Sequence, residues 1–162
     1  MVDVFYNGLM PAILFVCTAN RYRSPLAEAC FKQQLAKHID SSKWAVSSAG
    51  TWTEDGLPPM PKAIEDAKRL NLDIQGHRSR MVTKELVERS SLILVMEHGQ
   101  KEALRQEFPT YREKILLLSE VTGGIPYDIP DPVMDPSVGD VAGEICKLVK
   151  EGFEKILGLA SK

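Results

Sequence analysis

The chain has 162 residues, of which 44% are hydrophobic and 26% charged, and its net charge is −2. These values predict one soluble, cytoplasmic domain with a sizeable core, and they argue against nucleic-acid binding and against a membrane protein. The three cysteines, Cys17, Cys30 and Cys146, have no metal-ligand spacing. We therefore expect no bound metal, and reduced thiols of which most pack in the core.

The chain begins with a segment that has neither a basic leader nor an apolar run long enough to cross a bilayer. We expect residues 1–11 to form a short N-terminal extension. The domain itself is predicted over residues 12–162.

Strand and helix patterns alternate along the domain. Strands are predicted over AILFVC, WAVSSAG, LILVME and KILLL. Helices are predicted over SPLAEACFKQQLAKHI, with Ser24 as N-cap and Pro25 as first helical residue, and over PKAIEDAKRLNL, TKELVERS and HGQKEALRQEF.

The predicted elements end with a long loop and one amphipathic helix. Residues 119–140 are rich in Pro, Gly and Asp and predict a loop, which at this length tends to be functional. The closing helix, VAGEICKLVKEGFEKIL, has an apolar face made of Ile145, Leu148, Val149, Phe153 and Ile156. The alternation predicts an α/β fold in three layers, a four-stranded parallel sheet flanked by helices.

Cys17 ends the first predicted strand, and the turn C-T-A-N-R-Y-R-S leads from it into the first helix. Ligands of parallel sheets bind at the carboxyl ends of strands, and unpaired N–H groups at a helix start favour anions. Arg23 adds a planar guanidinium that can bind two phosphate oxygens. The turn is therefore a predicted phosphate-binding loop between the first strand and the first helix.

The same positive field activates the thiol. A helix N-terminus and an arginine lower the pKa of a nearby cysteine, so Cys17 becomes a candidate nucleophile toward phosphorus. Ser24 has two alternative roles, because its hydroxyl can donate a hydrogen bond to the thiolate or cap the helix. A cysteinyl-phosphate mechanism also needs an acid for the leaving oxygen, and Asp131 in the long loop is the candidate. Asp128, Asp135 and Asp140 lie near it in sequence.

These motifs resemble the low-molecular-weight protein tyrosine phosphatases. The likeness rests on Cys17, on Arg23-Ser24, on Asp131-Pro132 and on SSAGTW, GHRSRMVTKEL, LILVM and KILLL, and it covers nearly everything from residue 12 to 160. It implies a phosphomonoester hydrolase that needs no metal or other cofactor. A rival acid, Asp135-Pro136, fits the alignment to the family less well.

The resemblance also assigns roles to single residues. Cys17 is the implied nucleophile, Arg23 the residue that holds the phosphoryl group, and Asp131 the acid and then the base that activates water. The implied phosphate-binding loop is made of Thr18, Ala19, Asn20, Arg21, Tyr22, Arg23 and Ser24. A network that supports this loop is implied for Asn20, Ser24, Ser48 and His77.

Four positions depart from the family pattern, and a fifth leaves its role open. Ala19 replaces a usual glycine and would be strained at positive φ. Tyr22 replaces a second cysteine, which excludes a protective disulfide with the nucleophile. Val133 and Met134 replace an aromatic residue beside the acid, and with Trp52 they form the predicted substrate rim, although a loop tryptophan also commonly packs on its own domain.

The expected substrate is a phosphotyrosine protein or another phosphomonoester, with a tyrosine kinase as a further expected partner, and we expect a monomer or weak dimer. Arg21 at the tip of the loop either attracts acidic or phosphate groups or is a solvated charge. Arsenate reduction is disfavoured because no cysteine lies between Cys30 and Cys146 to relay a disulfide. Phosphoarginine hydrolysis is disfavoured because Arg21 occupies a position where it is associated with a small hydroxylated residue. A phosphate- or phosphopeptide-binding module without turnover is the remaining alternative.

Overall fold

A four-stranded, fully parallel sheet forms the centre of the structure, a computed structural model that describes residues 10–162. Residues 1–9 of the predicted extension lie outside the described residues. The strands are β1 (Ala12–Cys17), β2 (Ala45–Gly50), β3 (Leu92–Val95) and β4 (Ile115–Leu117), arranged in the order β2-β1-β3-β4. The predicted fold class is confirmed.

Seven α-helices occur in the described part of the chain. They are α1 (Arg23–His38), α2 (Pro61–Arg69), α3 (Lys84–Arg89), α4 (His98–Glu107), α5 (Leu118–Gly123), α6 (Val141–Glu151) and α7 (Phe153–Ala160). Short 3-10 helices cover Ser41–Lys43 and Pro109–Lys114. Across residues 10–162, none of the helices combines the length and the apolar character that crossing a bilayer requires.

Alternate residues of β1 point into two separate cores, as they must in a pleated strand. Ile13 and Phe15 face a core with α1, α2, α5, α6 and α7, and Leu14 and Val16 face a second core with α3 and α4. Every strand residue of β3 is buried, which is why its sequence is a continuous apolar run rather than an alternation. The helices of the two cores cover the faces of the sheet and leave its carboxyl edge free for loops.

The C-terminal part differs from the prediction in two places. The predicted loop 119–140 begins with α5, where Glu120 accepts a hydrogen bond from the Leu117 backbone N–H at 2.8 Å and so fixes the first turn. The single closing helix is two helices, α6 and α7, separated at Gly152, which packs against Thr122 with no room for a Cβ. The apolar face predicted for this segment is buried throughout.

The start of α1 also differs. The helix begins at Arg23 with Tyr22 as N-cap, and no side chain caps it. The prediction that Ser24 is the N-cap is therefore wrong: its hydroxyl instead lies 3.0 Å from the sulfur of Cys17, at hydrogen-bond distance. Pro25 is tolerated as the third helical residue because the first helical N–H groups have no partner within the helix.

Cys30 in α1 and Cys146 in α6 are core residues, as predicted, but they are paired rather than free. Their sulfur atoms are bonded as a disulfide, with a Cα–Cα distance of 5.6 Å, and both side chains are buried. The expectation of three reduced thiols is corrected because the two helices pack directly on one another and bring the pair together. Cys17 is the free cysteine of the structure.

We expect the oxidised chain to show one titratable thiol after denaturation and the reduced chain three. Because the cross-link joins residues 116 positions apart, reduction should lower the free energy of unfolding. The expected loss is about 2–5 kcal/mol. Thiol titration and urea denaturation, each with and without reductant, measure both effects.

The matched control for this prediction is Cys146→Ser, which cannot form the bond and whose stability should not respond to reductant. Three titratable thiols in wild-type protein after treatment with oxidised glutathione would contradict the cross-link.

Candidate active site

The site lies where the sheet order reverses direction, at the carboxyl ends of β1 and β3. Cys17 is the last residue of β1, and the loop of residues 17–24 carries the chain from there into α1. Glu97 follows β3 at the same edge and caps α4. The topology therefore brings together two chain segments that are 74 positions apart between Arg23 and Glu97.

The Cys17 thiol is buried among hydrogen-bonding groups. Its sulfur lies 3.0 Å from the Ser24 hydroxyl and accepts a hydrogen bond from the Asn20 backbone N–H at 3.3 Å. It also stands at the N-terminal end of α1, where the helix dipole is positive. The Asn20 N–H and the start of α1 thus both direct positive partial charge toward the sulfur.

Asn20 fixes the shape of the loop. Its amide nitrogen donates to Ser24 at 2.8 Å and to Ser48 at 3.0 Å, and its amide oxygen accepts from the Arg80 backbone N–H at 3.0 Å. The ring of His77 bonds to its backbone carbonyl at 2.7 Å. The structure thus brings Asn20, Ser24, Ser48 and His77 into one network.

The positive φ in this loop falls on Asn20, at 58°, and not on Ala19. Asparagine tolerates the left-handed region better than other non-glycine residues because its short side chain can bond locally. The strain anticipated for Ala19 is therefore absent, and the missing glycine carries no such cost.

Arg23 is 2% exposed and extends across the site. One guanidinium nitrogen donates to Glu97 and to the Ile129 carbonyl, the latter at 2.8 Å. The other lies 3.7 Å from a carboxylate oxygen of Asp131. Contacts from two other segments, Glu97 after β3 and the loop of Ile129 and Asp131, thus orient the fork of the arginine.

A cavity of about 260 Å³ opens above the thiol. Its wall combines the nucleophile candidate, the buried arginine, one carboxyl group and apolar side chains: Cys17, Ala19, Arg21, Tyr22, Arg23, Met60, Asp131, Val133 and Met134. A larger open hollow of about 530 Å³ lies behind the loop against Glu28 and His77, but neither Cys17 nor Arg23 borders it.

The other aspartates of the long loop are occupied elsewhere. Asp135 bonds to the hydroxyl and backbone N–H of Ser137, which lower its pKa. Asp128 accepts from the backbone and the ring of His98, and the backbone bond is the main reason why its pKa is lowered. Asp140 caps α6 through the Gly143 N–H at 3.0 Å. Asp131 is the aspartate that lines the cavity with Cys17.

Tyr22 is the buried link between the loop and α2. Its hydroxyl donates to Asp66, which also contacts Arg69 at 3.0 Å and Lys62 at 3.3 Å. Burial and the neighbouring carboxylate raise the pKa of the Tyr22 hydroxyl, so it stays protonated as a donor. Burial pushes the pKa of Asp66 upward, but the hydrogen bonds from Tyr22, Arg69 and Lys62 outweigh it and leave the pKa lowered.

Arg21 and Trp52 lie at the rim. The Arg21 side chain donates from Nε to the Pro58 carbonyl at 2.7 Å, so it is held against the next loop rather than free in solvent. Trp52 does not line the cavity above Cys17. Its indole lies in a neighbouring groove, beyond Arg21, and is 80% exposed. The alternative that Trp52 packs on the domain is wrong, whereas its place in the substrate rim stays a prediction.

Four contributors to the site were missed in the sequence: Glu97, Gln100, Glu28 and Met60. Glu97 binds Arg23, Gln100 donates to the Thr18 hydroxyl at 3.0 Å, and Glu28 accepts from Ser48 at 2.7 Å. Met60 lines the cavity. Only Glu97 had a usable signal, because it directly follows a buried parallel strand whose carboxyl end must face the site.

Comparison with known proteins agrees with this geometry. The model of the family described as low molecular weight phosphotyrosine protein phosphatase matches residues 12–161. The chain belongs to this family. The family consists of phosphatases, and the resemblance found in the motifs and the assignment as an enzyme are both confirmed.

Relatives of this phosphatase chain include enzymes named for two different substrates. A protein-arginine-phosphatase of Bacillus subtilis is 33% identical, with 93% of this chain and 94% of the relative covered. A probable low molecular weight protein-tyrosine-phosphatase, EpsP, of Ralstonia solanacearum is 35% identical over 76% of this chain and 79% of its own length. The crystal structure of a low molecular weight protein tyrosine phosphatase from T. tengcongensis superimposes with a TM-score of 0.80 at 33% identity, covering 89% and 98% of the two chains.

Replacing Tyr22 with phenylalanine should remove the hydrogen bond to Asp66 while keeping the buried ring. Because Asp66 is buried and retains only Lys62 and Arg69, the free energy of unfolding should fall by about 1–2 kcal/mol. Urea denaturation measures the change.

The matched control is Tyr111→Phe, since the Tyr111 hydroxyl bonds to Glu88 at 3.0 Å on the surface. Its effect should stay below about 0.5 kcal/mol. Equal effects of the two substitutions would show that the buried bond contributes nothing special.

Proposed function

We propose that this phosphatase hydrolyses phosphotyrosine esters through a phosphocysteine formed on Cys17. The observation that carries the proposal is the cavity in which one buried thiol, one buried arginine and one carboxyl group converge. A thiol at a helix N-terminus with two hydrogen-bond contacts on its sulfur is the form of cysteine that acts as a nucleophile.

In the first step the Cys17 thiolate attacks phosphorus and the bond from phosphorus to the tyrosine oxygen breaks. The departing oxygen takes a proton from the carboxyl group of Asp131. In the second step the Asp131 carboxylate takes a proton from a water molecule as that water attacks the phosphocysteine. The sulfur–phosphorus bond breaks, inorganic phosphate leaves and Cys17 returns as thiolate, so the acid and the base are one residue.

In this mechanism the loop of residues 18–24 binds the phosphoryl oxygens. The N–H groups of such a turn and of the first helical turn have no partners within the helix, and together with the dipole they form an anion site. The Asn20 network keeps these groups in place without rearrangement during the reaction. Arg23 adds charge that is already oriented by Glu97 and Ile129.

Asp131 is preferred to Asp135 as the acid. The carboxylate of Asp131 lies near the guanidinium of Arg23 and lines the cavity, whereas Asp135 is exposed and engaged with Ser137. Asp131 also accepts the Val133 backbone N–H at 2.9 Å, a turn that fixes the direction of its side chain. To act as the acid and then as the base, Asp131 has to face first the leaving oxygen and then the attacking water.

Tyrosine is preferred to arginine as the substrate residue. The walls that surround the thiol are largely apolar, from Met60, Val133 and Met134, which suits an aromatic ring. Among the described residues that line the cavity, Asp131 is the one carboxyl group, and it is needed for proton transfer. Arg21 places positive charge at the same mouth, which disfavours a guanidinium.

A binding module without turnover is the alternative from a different class. Such a module needs the anion loop but neither a nucleophile nor an acid, and here both lie in one cavity. We infer further that the enzyme works in the cytoplasm as a monomer or weak dimer, opposite a tyrosine kinase. The Cys17 thiol must stay reduced for this role, which favours the cytoplasm, and the buried Cys30–Cys146 disulfide would have to persist there.

The catalytic roles predict how three variants hydrolyse p-nitrophenyl phosphate. Cys17→Ser should lower kcat by at least about 10³-fold, because a hydroxyl is the far weaker nucleophile here. Asp131→Ala should lower kcat by about 10²–10⁴-fold through loss of proton transfer. Steady-state kinetics at pH 5 to 7 measures both.

The control is Asp135→Ala, which removes the rival aspartate and should change kcat by less than about threefold. A large effect of Asp135→Ala with little effect of Asp131→Ala would exchange their roles. If wild-type protein binds vanadate or phosphate but hydrolyses no substrate, the chain is the binding module and not an enzyme.

The substrate preference is tested with one peptide carrying either phosphotyrosine or phosphoarginine at the same position. We expect kcat/KM to favour phosphotyrosine by at least about tenfold, which corresponds to about 1.4 kcal/mol in the transition state. Arg21→Thr removes the positive charge at the mouth and should narrow this ratio. A ratio that favours phosphoarginine in wild-type protein would overturn the substrate assignment.

A further inference from the structure

We propose that the groove beside the catalytic cavity binds an apolar side chain of the substrate protein, two positions from the phosphorylated residue. This groove, called the Trp52 groove, has a volume of about 500 Å³ and is lined by Ala19, Arg21, Trp52, Glu54, Leu57 and Met81. The inference rests on the proposed function, because it assigns the flanking residue of that substrate.

The Trp52 groove is continuous with the catalytic cavity. Ala19 and Arg21 line both, so the two openings lie on either side of a single ridge. The ridge is fixed because Arg21 bonds to the Pro58 carbonyl and accepts the Met60 N–H at its own carbonyl, at 2.9 Å. A substrate chain whose phosphorylated side chain enters the cavity therefore either runs over the groove or turns away from it.

Trp52 stands on a backbone that cannot move away from the catalytic loop. Its N–H donates to the Thr18 carbonyl at 2.9 Å, and the preceding N–H of Thr51 donates to the Cys17 carbonyl at 3.0 Å. Gly50 makes this close approach possible, since a Cβ there would lie 2.5 Å from the Thr18 oxygen. The loop and the site are thus one rigid unit.

The indole of Trp52 remains 80% exposed on this rigid backbone. A large aromatic side chain on a fixed backbone needs no ordering of the main chain when a partner covers it, and tryptophan is enriched in binding hot spots. Leu57 and Met81 complete an apolar wall around it, and the Thr53 N–H bonds to the sulfur of Met81 at 3.2 Å. The groove is built to receive an apolar group.

The charged side chains at the rim of the groove do not select for the net charge of the substrate segment. Arg21 and Glu54 place one positive and one negative side chain along the same groove. Attraction of a strongly acidic segment by Arg21 is opposed by Glu54, and the reverse holds for a basic segment. The apolar wall is therefore the feature that discriminates.

The geometry of an extended chain sets the position of the bound residue. Successive side chains of an extended segment point to opposite faces, and residues two apart share a face at about 6–7 Å. When the phosphorylated side chain points into the cavity, the side chains at −2 and +2 point toward the same surface, whereas those at −1 and +1 point away. The side chain at −2 or the one at +2 should therefore cross the ridge and enter the groove.

The test uses phosphotyrosine peptides that carry serine at all flanking positions, or one leucine at −2, −1, +1 or +2. We expect leucine at one of the positions at distance two to raise kcat/KM about 5–10-fold in wild-type protein, with no gain at −1 or +1. Trp52→Ala should reduce this gain to less than twofold, and Trp52→Phe should restore part of it.

Ile125→Ala is the matched control, because Ile125 is exposed to the same degree, at 81%, and lines neither the cavity nor the groove. It should leave the gain unchanged. No gain at distance two in wild-type protein, or a gain that survives Trp52→Ala, would overturn the proposal.

The same peptides with a non-hydrolysable phosphonate separate this inference from the proposed function. If wild-type protein fails to hydrolyse p-nitrophenyl phosphate, the proposed function fails, but calorimetry still reports whether leucine at distance two lowers Kd through Trp52. A Kd that shows the 5–10-fold preference and its loss in Trp52→Ala supports the groove as a binding site in its own right. A Kd that is insensitive to both changes, or no binding, overturns it.

Discussion

The whole site depends on how Asn20 fixes the loop between β1 and α1. Its backbone adopts a left-handed conformation, and its side chain bonds to Ser24, Ser48 and the backbone of Arg80. These bonds replace what a regular element would supply for the five residues 18–22, which lie between the end of β1 and the start of α1. The turn at Asn20 also brings its own N–H to the Cys17 sulfur. The same constraint explains why Ala19 is tolerated.

A second level of organisation orients the buried arginine. Arg23 opens α1, but its guanidinium is positioned by Glu97 after β3 and by the Ile129 carbonyl in the long loop. Desolvating an arginine is costly unless its donors have partners, and Glu97 and Ile129 both accept from one of its nitrogens. They also link the loop that carries Asp131 to the loop of residues 17–24, so the proposed acid and the proposed nucleophile belong to one connected structure. Tyr22 and Asp66 extend this connection to α2 on the same side of the sheet.

Hydrogen bonds fix the surface loops around the cavity as well as the loop inside it. Backbone bonds from Thr51 and Trp52 join the loop after β2 directly to the catalytic loop, and Arg21 is tied to Pro58. An exposed tryptophan on such a support differs from one on a flexible loop, because covering it requires no ordering of the chain. The proposed binding of an extended substrate, with its phosphate in the cavity and one neighbouring side chain in the Trp52 groove, depends on this support.

The sequence by itself determined the sheet, the family and the residues Cys17, Arg23 and Asp131 as candidates. Buried parallel strands appear as continuous apolar runs, and a cysteine with an arginine between strand and helix is a local pattern. Only the tertiary structure decided the contacts between distant segments, because sequence spacing carries no information on which side chains converge. The pairing of Cys30 with Cys146, the bond from Tyr22 to Asp66 and the orientation of Arg23 by Glu97 are of this kind. So is the position of Trp52, which the structure places in the groove beside the cavity, because the path of a loop depends on the elements against which it packs.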